Sequence, residues 1–385
     1  MTSAGTTSDL VRRAARIGED VAAPAADDVD RKARFPVEAF EALRADGLLA
    51  ALVPQEFGGP GASVGAVAEA VEALARHCAS TAMVFAMHQL QVACLVRHGR
   101  SALLRDYQRL LASQQPLLAS ATTEIGVGGD IRTSICAVES AEGRFRLEKK
   151  APVISYGENA DGVLATARRS PESPPNDQVL VLCIAPGLSL EVISGWDTLG
   201  FRGTCSPGFV LKAEGDDGCV FDDPFADIAT RTMLPVSHIL WSSVWLGLAS
   251  AAVDRARRFV RSEARKTPGV TSPAAVRLAE LMTIFQQMEE QVRGLARRYE
   301  EVCDDPEALS TMGFAIAMNN LKVSASTLVV DIVGRAMIIC GIAGYREDSP
   351  YSLGRLLRDA HGAAVMVNND RILANNAQML LVHKE

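Results

Sequence analysis

The chain has 385 residues, 48% of them hydrophobic, a formal net charge of −7 and a pI near 5.5. That length allows two or three structural units around a large buried core. The acidic balance excludes nucleic acid as a main partner, because phosphate binding needs a basic face.

Residues 8 to 118 read as helices, with apolar residues three and four apart. Phe35 and Pro36 open one helix, since proline suits a helical first turn; it stops near Gly47. The run from Val53 to Gly61 breaks the pattern with two prolines and three glycines. A long helical pair follows, carrying His77, His88 and His98. From about 119 to 232 the character changes to short apolar and β-branched runs: Phe145 to Leu147, Val163 to Thr166, Val179 to Cys183, Leu190 to Ile193 and Phe209 to Leu211. Turn clusters separate them, so a small β-sandwich or barrel is expected. From about 236 helices return. Leu278, Leu281, Phe285, Met288, Val292, Leu295 and Tyr299 form a seam for bundle packing. The expected units are therefore 1–118, 119–235 and 236–385: mainly α with a central β domain.

The eight cysteines are scattered without a C-x-x-C pair, and no His/Cys/Asp cluster has metal-ligand spacing. Buried thiols are expected, without a metal. No signal peptide is visible, and Asp331 and Arg335 interrupt the apolar run from Leu328 to Ile342. The expectation is a cytoplasmic protein without a membrane span.

The stretch Ser120, Ala121, Thr122, Thr123, Glu124, Ile125, Gly126, Val127, Gly128, Gly129, Asp130 lies where helices give way to strands. Its glycines permit a tight turn and close approach to a flat ligand, and its free N–H groups suit anionic or carbonyl oxygens. Ligand pockets favour such junctions.

This stretch, together with Phe35-Pro36, Val53 to Gly59, Lys150 through Ser155-Tyr156-Gly157, Leu199 to Arg202, Gly247-Leu248-Ala249, Gly341 to Tyr345 and Arg358-Asp359-Ala360, resembles the acyl-CoA dehydrogenase superfamily over nearly the whole chain. The resemblance implies an N-terminal helical bundle, a middle β-barrel or sandwich and a C-terminal four-helix bundle. It implies a flavin, FAD or alternatively FMN, between the β domain and the second bundle. Ser120, Thr122 and Thr123 would run along the ring, with Gly128 and Gly129 in the adjoining turn. Gly129 stands where the family often has serine. Ser155 matches a threonine near flavin N5, and Val153 a tryptophan that covers the ring. Arg265 or Lys266 would substitute in a pyrophosphate-binding element, and Gly341 and Asn369 complete the cofactor positions carried over.

The sequence departs from the family at its chemistry. The usual glutamate base falls on Val367, and an alternative base position on Ser237-His238. The remaining ionisable candidates are His238, Asp370, His88 and His361. Histidine titrates near neutral pH and suits acid–base work, but His88 also reads as a core histidine, Asp370 as a helix-start residue and His361 as a surface one. Trp241 and Trp245, four apart, read as core or as the lining of an acyl pocket.

Three functions follow, the first being the expected one and the second its alternative. The first is α,β-dehydrogenation of an acyl thioester, on CoA or a carrier protein, by a non-standard base, with an electron-transfer partner. The second is a two-component flavin monooxygenase, fed by a flavin reductase, whose C4a-hydroperoxide oxygenates a C, N or S centre of a small molecule; Met366 stands where such enzymes often carry histidine. The third is a degenerate flavin-fold scaffold. A homodimer or homotetramer is implied by the family.

Overall fold

The computed structural model describes residues 3–128, 130–266 and 268–383, the side chains of residues 3–7 excepted. The first unit contains α1 (Ser3–Ile17), α2 (Ala23–Lys32), α3 (Val37–Ala45), α4 (Val64–Ala75), α5 (Ala79–His98) and α6 (Ala102–Gln114). Ser63 and Ser101 start α4 and α6 by accepting the backbone N–H groups of Ala66 and Leu104. His77 lies beyond the end of α4, so the expected helical pair carries only His88 and His98. α5 is buried on almost every face, because it packs against α4 and the third unit's longest helix, and meets the first strand at its side.

The second unit contains β1 (Leu118–Ala121), β2 (Glu139–Ala141), β3 (Arg144–Ala151), β4 (Gly162–Arg168), β5 (Gln178–Ile184), β6 (Leu188–Val192) and β7 (Phe209–Asp216). Two sheets form, ordered β1-β4-β5 and β2-β3-β7-β6. β1 runs parallel to β4, pairing Ser120 with Leu164; every other named pairing is antiparallel. β4 and β5 are buried along nearly their whole length, as their continuous apolar runs require. β3 alternates instead, turning Phe145, Leu147, Lys149 and Ala151 inward. The chain leaves β1 at Ala121, so Thr122 and Thr123 lie beyond the strand.

Helices resume with α7 (Phe225–Ile228), α8 (Leu234–Ala264), α9 (Pro273–Val302), α10 (Pro306–Leu309), α11 (Met312–Cys340), α12 (Ile342–Tyr345), α13 (Gly354–Gly362) and α14 (Asn369–Leu380). α8, α9 and α11 pack together, and α14 closes on α11. The seam of α9 buries Leu281, Phe285, Met288, Val292 and Tyr299, with Leu278 and Leu295 half-buried. By length and composition α5, the helical run 225–264 and α11 could each cross a membrane. The first two are 89% and 94% buried inside the fold, whereas α11 is 44% buried. The apolarity of α5 and α8 is that of a core. α11 leaves Met312 and Ile338 exposed, continued by Ile342 and Tyr345.

One knot joins the three units. The Asp359 carboxylate of α13 accepts the Phe201 N–H at 2.6 Å. Arg202 donates to the Asp30 carbonyl of α2 at 2.9 Å, and Arg358 pairs with the Asp30 carboxylate. Gly200 is required here: a Cβ would meet the Arg358 carbonyl oxygen at 2.3 Å. Burial pushes the Asp359 carboxyl up to about 6 from 3.8, although Arg355 and the Phe201 N–H pull it down. Between those two values the native state holds more protons at this site than the unfolded chain, so the contribution of Asp359 to stability falls as pH rises. Asp359→Asn retains an acceptor for Phe201 without the charge. The unfolding free energy of the wild type relative to this variant is expected to decrease from pH 4 to pH 7. Urea denaturation across that range checks it, and a difference that grows with pH contradicts it.

Candidate active site

Beyond β1 the chain turns Glu124 inward, leaving it 6% exposed. Its carboxylate accepts from Lys149 Nζ at 3.2 Å, Ser134 Oγ at 2.6 Å, Cys136 N at 2.7 Å and Ile135 N at 3.1 Å. Lys149 also donates to the Thr166 carbonyl at 2.8 Å and hydroxyl at 3.2 Å. Burial pushes the Glu124 carboxyl up, but Lys149, the Ser134 hydroxyl and the two amides together hold it below its ordinary value. Burial pushes the Lys149 ammonium down against the pull of Glu124. Ile125 N donates to the Lys150 carbonyl at 2.8 Å, fixing the turn that follows.

That turn passes through Gly126 and Gly128 with φ of 101° and 61°, a region that favours glycine. At Gly126 a Cβ would meet Ile135 at 2.9 Å; at Gly128 nothing lies within 4 Å, so this side is open. Gly129 lies outside the described residues. Arg371 of α14 donates to the Gly128 carbonyl, bringing the third unit onto the turn. On the strand side the Thr123 hydroxyl donates to the Val153 carbonyl at 3.3 Å. Ser155 accepts from Ser206 Oγ at 2.8 Å, so its own hydrogen remains available to a ligand. Ser120 and Thr122 are half-buried beside them.

Ile125, Ile135 and Val153 are 49%, 57% and 37% exposed around this turn. Val365 and Val367, in the segment leading into α14, are also exposed. Apolar side chains left to water beside free polar groups fit a ligand with an apolar face and a polar edge. A flavin ring has that character, and Thr123, Ser155 and the glycine turn are the residues that would hold it.

The sequence-predicted ionisable groups are not assembled here. His88 is fully buried; its Nε2–H donates to the Leu49 carbonyl at 2.7 Å, and Nδ1 accepts the Leu118 N–H at 3.0 Å. With both nitrogens used and burial pushing its pKa down to about 4, His88 anchors β1 on α5 and has no lone pair for catalysis. His238 is 2% exposed between α8 and α11, donating Nδ1–H to the Met318 carbonyl at 3.1 Å. Burial pushes it to about 4, so it is neutral near pH 7; its Nε2 is buried without a partner. Asp370 is exposed in the first turn of α14, where Asn368 Oδ1 accepts its N–H at 2.8 Å. It is a helix-start residue. His361 is exposed, Trp245 is core, and Trp241 is half-buried.

The carried-over cofactor positions separate as well. Asn369 turns its side chain inward, accepting from Lys322 at 2.7 Å and donating to Ser326 at 3.0 Å, and is not free for a ligand. Arg265 and Gly341 are exposed at the C-terminal ends of α8 and α11. Gly341 lies nineteen residues beyond Lys322, about 28 Å along the helix. Within one chain these two stay remote from the glycine turn. A cleft of about 450 Å³ between α4, α8 and α9 contains none of the predicted residues. Within it Arg293 pairs with Glu289 at 2.9 Å and Glu300 accepts the Gly65 N–H at 2.8 Å.

Sequence reasoning missed Lys322 and the Glu124–Lys149 pair. Lys322 is fully buried, and burial pushes its amine down to about 8. Its signal was a lone cation at helical spacing with Met318, Ala325 and Val329, all core residues of α11.

Residues 6–115 match the model of the acyl-CoA dehydrogenase N-terminal domain, and residues 227–377 that of the acyl-CoA dehydrogenase C-terminal domain. The chain is 26% identical to the amino sugar nitrososynthase DnmZ of Streptomyces peucetius over 358 residues, covering 88% of this chain and 84% of that protein. It is 25% identical to the cyclohex-1-ene-1-carbonyl-CoA dehydrogenase of Geobacter metallireducens over 383 residues, covering 95% and 94%. Among solved structures, the FMN-bound form of the dibenzothiophene monooxygenase TdsC from Paenibacillus sp. A11-2 superposes with a TM-score of 0.86 over 98% of both chains, at 20% identity.

The buried ion pair makes a direct prediction. Lys149→Met leaves the Glu124 carboxylate buried without its cation and is expected to cost about 3–5 kcal/mol. The double variant Glu124→Gln with Lys149→Met removes both charges, retains an amide acceptor and is expected to be more stable than that single variant. Denaturant titrations measure both; a loss below about 1 kcal/mol in Lys149→Met would show that the pair does not hold the turn.

Proposed function

The chain belongs to the acyl-CoA dehydrogenase family and is a flavin-dependent oxidoreductase; on that footing we propose that it acts as a flavin monooxygenase on a small molecule. The observation that carries this reading is the rim beside the glycine turn. Position 367 is a half-exposed valine, and His88 and His238 are sealed in the core. Removal of an α-proton from an acyl thioester needs an ionised base in hydrogen-bond reach of that proton. Asp370, the remaining candidate on the rim, is exposed, with no hydrogen bond orienting its carboxylate among the described residues. Oxygen transfer to nitrogen or sulfur needs no such base.

When bound, a flavin supplies two-electron redox chemistry, and in its reduced form activates dioxygen so that one oxygen atom enters the substrate and the other leaves as water. The chain's own residues bind and shield. Thr123 and the N–H groups of the glycine turn would hold the polar edge of the ring, and the Ser155 hydroxyl would offer a hydrogen bond. Ile125, Ile135, Val365 and Val367, exposed in the free chain, would be covered by a bound ring and would then keep water from its edge.

The names of the relatives support an amine nitrogen or a sulfur centre as the oxygen acceptor. FAD is the family's cofactor, and the FMN-bound neighbour supports FMN as the alternative. A separate reductase would supply reduced flavin. The exposed apolar face of α11 with Ile338, Ile342 and Tyr345 supports a homodimer or homotetramer. The eight free thiols, most of them buried, are compatible with a cytoplasmic setting. The second reading, dehydrogenation of an acyl thioester with an electron-transfer partner, is favoured by the dehydrogenase relative.

One experiment separates the two. With NADH, a flavin reductase, FMN or FAD and a panel of amines and thioethers, ¹⁸O₂ is expected to place one labelled oxygen in the product. Anaerobic bleaching of bound flavin by an acyl-CoA, with no labelled product, would decide for dehydrogenation. Asp370→Asn is expected to retain turnover within about twofold, whereas a loss of about tenfold or more would restore Asp370 as a base.

A further inference from the structure

Lys322 is a cation placed where α11 otherwise buries apolar side chains. It is fully buried, and no carboxylate among the described residues pairs with it. Its Nζ donates to the Val367 carbonyl at 2.6 Å and to Asn369 Oδ1 at 2.7 Å. The same atom lies 5.7 Å from the centre of the Trp245 ring, where the π face meets its remaining charge. Burying an ammonium on neutral partners is costly, and such an arrangement persists only where its hydrogen bonds fix something else.

What they fix is the segment from Ala363 to Asn369. Val367 has φ of 55°, a left-handed conformation that a β-branched residue adopts only under constraint. Lys322 holds the carbonyl of that residue from beneath. Asn369 is held twice, by Lys322 and by Ser326 Oγ at 3.0 Å. Two residues on, Arg371 reaches across to the Gly128 carbonyl. A continuous path therefore runs from the core of α11, through the left-handed residue, to the glycine turn of the β domain.

We propose that Lys322 is a positioning residue that holds the Val367 turn against the glycine turn and so sets the shape of the cofactor groove. The proposal rests on the flavin reading of that groove, and its test has an arm that does not depend on flavin.

Lys322→Met retains the length of the side chain and removes its donors. In flavin-free protein, hydrogen exchange of amides 363–371 is expected to accelerate by about tenfold or more, the consequence of losing a charge-assisted hydrogen bond. Exchange within α5 and β4 is expected to stay unchanged. In the presence of FMN or FAD, the dissociation constant is expected to rise by about tenfold and the visible absorption band of bound flavin to shift. Lys322→Arg, which retains charged donors, is expected to restore most of the protection. Exchange at 363–371 within about twofold of wild type in Lys322→Met would overturn the proposal, being no larger than surface substitutions give. Should Lys322→Met fail to fold, Asn369→Ala takes its place: faster exchange in the same amides supports the proposal, and unchanged exchange overturns it. Failure of the wild type to bind flavin would count against the groove's assignment, and the exchange arm would still judge Lys322.

Discussion

A carboxylate and an ammonium, both withdrawn from water, face each other at 3.2 Å beneath the turn that follows β1. Glu124 and Lys149 stabilise each other there, because an unpaired buried charge is more costly than a paired one. The alternation of β3 commits Lys149 to the inner face, and that commitment draws Glu124 down from the chain leaving β1. Once Glu124 is inward, its carboxylate also takes the amides of Ile135 and Cys136, so both ends of the 124–136 loop are fixed to one point. The glycine turn is the part of that loop left above the surface. Its openness follows from what is tied down below.

The same logic operates between units. The His88 ring bridges the Leu49 carbonyl and the Leu118 amide, so α5 and β1 share a hydrogen-bonding centre in the first unit's core. Asp359 and Arg358 bind the loop around Phe201 and helix α2 from the opposite side. Lys322 and Arg371 connect α11 and α14 to the turn. The His88, Asp359 and Lys322 contacts each join elements far apart in sequence through a polar group in a largely apolar setting, whereas the Arg371 contact is exposed. Displacing a partner of the buried three leaves an unsatisfied buried atom, which makes the placement of these elements specific.

Much of the fold was legible because it rests on local pattern. Apolar periodicity located the bundle helices, and β-branched runs located strands at Val163 to Thr166 and Val179 to Cys183. At the first junction strands begin at Leu118, just ahead of the glycine stretch. The second junction is less sharp: strands end at Asp216 and helix resumes at Phe225, ahead of the expected 236. The turn of the candidate site was legible, since glycines and hydroxyl residues announce one. The site's charged part was not. Whether His238 or His88 meets solvent depends on which helices cover it, and no local spacing reports that. Lys322 and Val367 are 45 residues apart, and only the packing of α11 under the α14 approach brings them together.

The separation of cofactor-holding from chemistry-bearing elements explains why the fold was easier to read than the reaction. Backbone N–H groups, the Thr123 and Ser155 hydroxyls and exposed apolar side chains would suit a flat ring whatever chemistry it carried. Position 367 stands at the rim of that turn, with Lys322 under its carbonyl. Lys322 meets position 367 at its backbone carbonyl and also holds Asn369 Oδ1, while the valine side chain stays half-exposed. Lys322 thus fixes the backbone of this rim from the core side and leaves the Val367 side chain at its surface.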